Sequence, residues 1–253
     1  MKVYHMSGAG NDFAVIDARG QTLDLRPLAI TLCAQLGADG FLALDTSDTA
    51  HFRLHFYNPD GLRGEMCGNG ARCICRFAYD LGFAPAEMTI ETDAGIVSGW
   101  RLTENTYRVK LNEPGVLDLN RTEKAAYVEL GDPGIPHSVT ELPKLDFQDA
   151  EALRPLALAI RHDARFPKGV NVNLFAPLAE DRIRILTFER GVEDYTLACG
   201  TGCGSVATVL KEKGLLPGGR LTCENQGGIL TIEINDTGLY LEGPTEYIKC
   251  FEM

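Results

Sequence analysis

Cys67-Gly68-Asn69-Gly70-Ala71-Arg72-Cys73 and Cys199-Gly200-Thr201-Gly202-Cys203 are two versions of one phrase, a cysteine and alternating glycines leading into an apolar-periodic run. Apolar residues downstream recur at three- and four-residue spacing, which predicts helices over residues 70–81 and 202–213. Each phrase sets a thiol at the mouth of a helix. The two cysteines stand 132 residues apart in a chain of 253, about half its length. In each half, strand signals precede the phrase, a helix follows it, and a further strand comes next. That shared order reads as an internal duplication.

Working outward, residues 52–57, 88–92 and 107–111 alternate apolar and polar side chains between turn formers, as strands do. The pattern returns at 127–130, 182–186 and 230–234. The polar turn Asn112-Glu113-Pro114-Gly115 places a boundary just beyond it, giving halves of residues 1–116 and 117–246. Residues 142–162 read as a loop leading into a packing helix and carry no chemistry.

With 45% hydrophobic residues the chain can bury a sizeable core. A formal net charge of -11 argues against non-specific binding to nucleic acid or to an anionic membrane. The opening Met1-Lys2-Val3-Tyr4-His5-Met6 carries no apolar signal, and no run approaches the ~18 apolar residues of a span, so a cytoplasmic location is expected. Eight cysteines in such a chain are expected to be reduced thiols. Neither the Cys67/Cys73/Cys75 group nor the Cys199/Cys203 pair has the spacing of a zinc site, so no metal is expected. Cys33, Cys223 and Cys250 sit among apolar residues and are expected to be buried.

The chemistry follows from the helix starts. The first amides of a helix lack internal partners, and the aligned peptide dipoles attract anions there. Glycines let a carboxylate or phosphate approach the backbone closely. The P-loop lysine and the dinucleotide Gly-x-Gly-x-x-Gly pattern are both missing. A thiol stands beside each anion site instead, and a helix N-terminus lowers a cysteine pKa from about 8.5. Inverting an amino-acid α-carbon needs a base on one face and an acid on the other. One thiolate and one thiol meet that need and exchange roles in the reverse direction. Such a mechanism needs no metal, pyridoxal phosphate or nicotinamide.

The chain resembles the diaminopimelate epimerase family, cofactor-independent epimerases that use a cysteine pair. The likeness rests on Met6-Ser7-Gly8-Ala9-Gly10-Asn11-Asp12-Phe13, Asn58-Pro59-Asp60-Gly61 and Glu65-Met66-Cys67-Gly68-Asn69-Gly70-Ala71-Arg72-Cys73. Pro136-His137, Gly169-Val170-Asn171, Phe188-Glu189-Arg190-Gly191 and Ala198-Cys199-Gly200-Thr201-Gly202 extend it through the second half. It implies an α/β fold with α+β-like mixed sheets. Two pseudo-symmetric domains, each a sheet wrapped round a central helix, would hold the active site in the cleft between them, with residues 247–253 returning to the first. By position, Cys67 and Cys199 match the catalytic pair, and Gly68, Asn69, Gly200 and Thr201 match the clamp on the reacting carboxylate. Asn11, Asn58, Asn171, Glu189 and Arg190 match groups that hold the substrate, the last four at its distal end. His137 and Glu189 match residues that assist the thiols.

The implied reaction converts LL-diaminopimelate to the meso isomer in lysine and cell-wall precursor synthesis, by a homodimer. Alternatives are a racemase of another amino acid and a non-catalytic amino-acid-binding clamp. Apart from the likeness, Asn11, Asn58 and Asn171 read as turn formers, His137 as a loop histidine, and Glu189-Arg190 as a solvated surface pair. Three positions depart from the family pattern. Gly40 stands where some members have glutamine, Ile135 where some have asparagine, and Tyr195 where glutamate is common, so a less polar site is expected there.

Overall fold

A computed structural model describes residues 1–64 and 66–253; Glu65, which opens the motif around Cys67, lies outside them. The chain forms two compact units, one of residues 1–110 with 242–253 and the other of residues 111–241.

The first unit runs β1 (Lys2–Gly8), β2 (Asn11–Asp17), α1 (Leu25–Leu36), β3 (Gly40–Asp45), β4 (Phe52–Tyr57), α2 (Gly68–Asp80), β5 (Glu87–Thr92), β6 (Gly95–Arg101) and β7 (Thr106–Leu111). The second begins with β8 (Pro114–Asp118), β9 (Ala126–Gly131), β10 (Gly134–Glu141), α3 (Ala150–Arg161), β11 (Asn171–Ala179) and β12 (Arg182–Glu189). It continues through β13 (Asp194–Thr196), α4 (Gly200–Glu212), β14 (Arg220–Asn225), β15 (Gly228–Asn235) and β16 (Gly238–Pro244). The last strand, β17 (Glu246–Glu252), pairs antiparallel with β1.

Strand pairing repeats from one unit to the other. An antiparallel hairpin, β1/β2 or β9/β10, is followed by a helical crossover to a parallel neighbour, β2/β3 or β10/β11. An antiparallel return, β3/β4 or β11/β12, leads through the cysteine-headed helix to a second parallel pair, β4/β5 or β12/β14. Another antiparallel hairpin, β5/β6 or β14/β15, follows. Parallel pairs need such crossovers, which explains why each unit carries two helices.

The two helices differ in burial. α2 and α4 each bury ten of their thirteen residues, as helices enclosed by sheet do. By contrast α1 buries Ala29, Leu32 and Cys33, and α3 only Ala157, so each covers one face. Small residues let the strands close on the enclosed helices. A Cβ on Gly8 of β1 would stand 2.9 Å from the Asn69 carbonyl oxygen, and one on Gly99 of β6 would stand 2.5 Å from Cys75 Sγ. Cys75 is therefore a packing residue seated against a glycine.

The enclosed helices begin two residues earlier than apolar periodicity predicts, at Gly68 and Gly200. First-turn amides need no intrahelical acceptor, so glycine is tolerated there and leaves no apolar mark. Cys67 and Cys199 become the N-cap residues, both with extended backbone. Residues 142–162 contain a 3-10 turn, Phe147–Asp149, capped by Asp146 and leading into α3. Cys33 and Cys223 are buried, but Cys250 is exposed: its apolar neighbours lie along β17, most of whose residues face solvent. All the cysteines are free thiols, and among the described residues no group of three or more His, Cys, Asp or Glu is placed to hold a metal ion. No helix among the described residues is long and apolar enough to cross a membrane.

Candidate active site

In the first unit, the start of β2 carries Asn11 against the mouth of α2. Asn11 Nδ2 donates to the Asp39 carboxylate at 2.8 Å, and the backbone N–H of Asp12 donates to the same oxygen at 2.8 Å. A carboxylate can only accept, so the Asn11 amide is turned with Oδ1 away from Asp39. That oxygen accepts from Cys67 Sγ at 3.7 Å and from Asn69 Nδ2 at 3.2 Å. Cys67, Asn69 and Asn11 thus form one group, with Gly68 supplying the first helical residue between them. Asn58 lies at the end of β4, where its N–H donates to Leu62 O at 2.8 Å and its carbonyl accepts from Gly61 at 2.9 Å. Gly61 has φ +77°, a conformation that favours glycine.

In the second unit, Cys199 is buried at the mouth of α4 and faces Thr201 Oγ1 at 3.5 Å. Burial pushes its thiol far above the ordinary cysteine range, and the nearby Glu189 carboxylate adds to the push. The Thr201 hydroxyl and the Gly202 N–H act the other way without prevailing. Cys199 is therefore a neutral thiol at neutral pH. A helix N-terminus alone does not ionise a cysteine that has lost its water.

Glu189 ends β12, and Arg190 follows it. The Arg190 backbone N–H donates to Asn171 Oδ1 at 2.8 Å, and its guanidinium donates to the Lys168 carbonyl at 2.8 Å. Parallel pairing of β10 with β11 sets His137 opposite Asn171. His137 is fully buried, and burial together with the Arg190 charge lowers its pKa to about 3. The second unit thus gathers His137, Asn171, Glu189, Arg190, Cys199, Gly200 and Thr201 around the end of its sheet.

The three departures take different places. Gly40 opens β3 under two rings: a Cβ there would stand 2.8 Å from Phe56 and 3.2 Å from Phe13, so a longer side chain would need both to move. Tyr195 packs edge-on to Phe188 at 5.4 Å, with the Arg154 guanidinium 5.7 Å from its ring centre, and belongs to the apolar cluster under α3. Ile135 lies on β10 opposite Leu130 and is partly in solvent.

Sequence reading missed Asp39, Asn173 and Thr187. Asn173 was legible, since Asn171 and Asn173 are two apart on one strand and share a face. Asp39 had no such signal: only the parallel pairing of β2 with β3 brings it to Asn11.

The sequence profile described as diaminopimelate epimerase matches residues 3–114 and 131–248. The diaminopimelate epimerase of Aquifex aeolicus (strain VF5) is 36% identical to this chain over 259 residues, covering 93% of this chain and 91% of its own length. That of Chlorobaculum tepidum is 36% identical over 257 residues, covering 96% and 97%. Among solved structures, a PhzF-family phenazine biosynthesis protein from Bacillus anthracis matches with a TM-score of 0.77 at 17% identity, over 100% of this chain and 98% of its own. That likeness concerns the fold alone. Profile and relatives agree along nearly the whole sequence, including both cysteine-headed helices, and the chain belongs to the diaminopimelate epimerase family.

Proposed function

We propose that the protein is an isomerase that epimerises LL-diaminopimelate to meso-diaminopimelate, for lysine and peptidoglycan precursor synthesis, with Cys67 and Cys199 as its acid/base pair. The observation that carries the thiol roles is the repeated setting of a cysteine as N-cap of an enclosed helix, once in each unit. At each mouth the first-turn amides, which lack intrahelical acceptors, and the two glycines suit a carboxylate. In one direction a thiolate takes the α-proton, the Cα–H electron pair passes towards the substrate carboxylate, and the other thiol gives its proton to the opposite face. The neutral state of Cys199 suits the donor role. Donors at the two helix mouths would stabilise the charge that develops, and one such donor contributes roughly 2.7–4 kcal/mol in other enzymes.

Asn69 and Thr201, with Gly68 and Gly200, would hold the reacting carboxylate; Asn11 would contact the reacting end. Asn58, Asn171, Glu189 and Arg190 would hold the distal amino-acid group, an anion and a cation meeting an ammonium and a carboxylate. His137 and Glu189 would assist the thiols. Kinship with the family supports a cytoplasmic homodimer as the working form, which the mass of the purified protein in solution would check.

Chiral chromatography of LL-diaminopimelate after incubation with the protein tests the reading. Appearance of the meso isomer supports it; inversion of another amino acid, with diaminopimelate untouched, would replace the substrate. Arg190→Ala should lower kcat/KM for diaminopimelate by roughly 1.5–3 kcal/mol, the worth of a charged hydrogen bond.

A further inference from the structure

We propose that Asn173 is a positioning residue that fixes His137 as the Nε2–H tautomer, so that His137 works as a neutral hydrogen-bond donor and not as a proton shuttle. The inference builds on the reading that His137 assists the reaction. Asn173 is fully buried on β11, and its Nδ2 lies 2.8 Å from the Ser138 carbonyl and 3.4 Å from the Asn171 carbonyl. Carbonyls only accept, so that end of the amide must be its NH2. With the amide so oriented, the Thr187 hydroxyl donates to Asn173 Oδ1 at 3.0 Å and satisfies the other end. The same NH2 faces His137 Nδ1 at 3.2 Å. A ring nitrogen facing an N–H must accept, which leaves the single proton of a neutral imidazole on Nε2.

Two further observations point the same way. His137 Nε2 is buried and, among the described residues, has no hydrogen-bond partner. A buried N–H left unmatched in the free chain calls for an acceptor supplied by something else. The anionic substrate, with the charge it gathers as the α-proton leaves, is such an acceptor. The amide is also tied to the cysteine-headed helix: a Cβ on Gly202 would stand 2.3 Å from Asn173 Oδ1 and 3.0 Å from Thr187 Oγ1. Glycine at 202 leaves the room in which the Asn173 carbonyl sits. The low pKa of His137 agrees with a ring that stays neutral across the working range.

Nitrogen-15 NMR of the imidazole rings in the whole protein reads the tautomer directly, with His137 assigned by the signal lost in His137→Gln. Wild-type protein at neutral pH should show His137 protonated at Nε2 alone; an Nδ1–H or doubly protonated ring overturns the proposal without any variant. Asn173→Asp turns the neighbour into a pure acceptor and should move the proton to Nδ1, with a loss in kcat of about 10²–10³-fold and little change in KM. Asn173→Leu keeps the volume but removes the donor, so both tautomers should appear and the loss should be smaller. Unchanged signals from His5, His51, His55 and His162 would show that each variant is folded. Equal activity losses in folded Asp and Leu variants, with the His137 signals unmoved, would assign Asn173 a merely structural role and overturn the proposal. Because the tautomer is read without turnover, an inactive wild type would sink the functional reading and leave this one standing.

Discussion

Cys67 and Cys199 occupy the same position in a repeated fold and live in different surroundings. Cys67 is half-buried and donates to an asparagine whose amide is turned by an exposed carboxylate, Asp39. Cys199 is buried against Thr201, with the Glu189 carboxylate close enough to oppose its ionisation. Both cap a helix, so the helix end is common to the two. Desolvation can move a pKa by ~3–5 units, more than a helix terminus supplies against it. Duplication has preserved where the thiol stands, while local packing gives the two thiols different surroundings and keeps the proton on Cys199. A two-base reaction needs one partner to enter neutral, and Cys199 is suited to be that partner.

The largest expected effect breaks the pair. Cys67→Ala and Cys199→Ala should each lower net inversion by at least ~10²–10⁴-fold, since either change removes the base or the acid. Near wild-type turnover in both, measured by chiral chromatography, would end the two-thiol account. Next comes the third residue after each cysteine. Gly202→Ala would drive a methyl into the fixed Asn173–Thr187 pair and should cost about 1–3 kcal/mol in urea unfolding. The equivalent Gly70→Ala meets Leu42 at 3.2 Å and Phe13 at 3.3 Å, apolar side chains standing farther off than Asn173 does from Gly202, and should cost less. Equal costs would show that the two mouths are packed alike after all.

A smaller effect tests how Asn11 is held. Asp39→Ala frees the Asn11 amide to rotate and should lower kcat/KM by up to about tenfold, the worth of a hydrogen bond of ~0.5–1.5 kcal/mol. Asp39→Asn keeps an acceptor and should recover most of that loss; steady-state kinetics of the two variants side by side decide it. An effect of a different kind, on stability and not on turnover, appears with pH. Burial pushes Cys73 up to about 12, and it raises Cys75 and Cys199 as well. Folded thiols then keep protons that the unfolded chain loses above about 8.5, so stability is fully present below that pH and declines as pH rises towards the folded values. Each such thiol contributes a slope of ~1.4 kcal/mol per pH unit in that window. Urea midpoints between pH 7 and pH 10 should fall only at the alkaline end; a rise there would contradict the burial of these thiols.

Much of this was legible in the sequence because it follows from period and punctuation. The strands at residues 52–57 and 182–186 and the two enclosed helices announce themselves by spacing, and the 132-residue interval gives the repeat. Both helix starts were read two residues late, since glycines carry no periodic signal. Cys250 was misjudged because apolar neighbours along a strand do not say whether its face is covered. Tyr195 looked like a change in the site, and only the sheet register shows it opposite Phe188 and under α3. Asp39 remained hidden for a similar reason, and the alternation on β11 that could have pointed to Asn173 does not say what its amide does. Asp39 orients the Asn11 amide and Asn173 faces the His137 ring, properties of donor geometry that residue type alone does not convey.

The central claim is that two thiols divide the chemistry, one as base and the other as acid, and solvent deuterium reports it most directly. With LL-diaminopimelate in deuterium oxide, early samples should contain meso product deuterated at the inverted carbon, while recovered substrate keeps its original hydrogen. The acid that completes inversion carries a solvent-derived deuteron, whereas the base holds the abstracted proton and can return only that one to the original face. Deuterium appearing equally early in substrate and product would mean that a single exchanging base serves both faces, and would contradict the account.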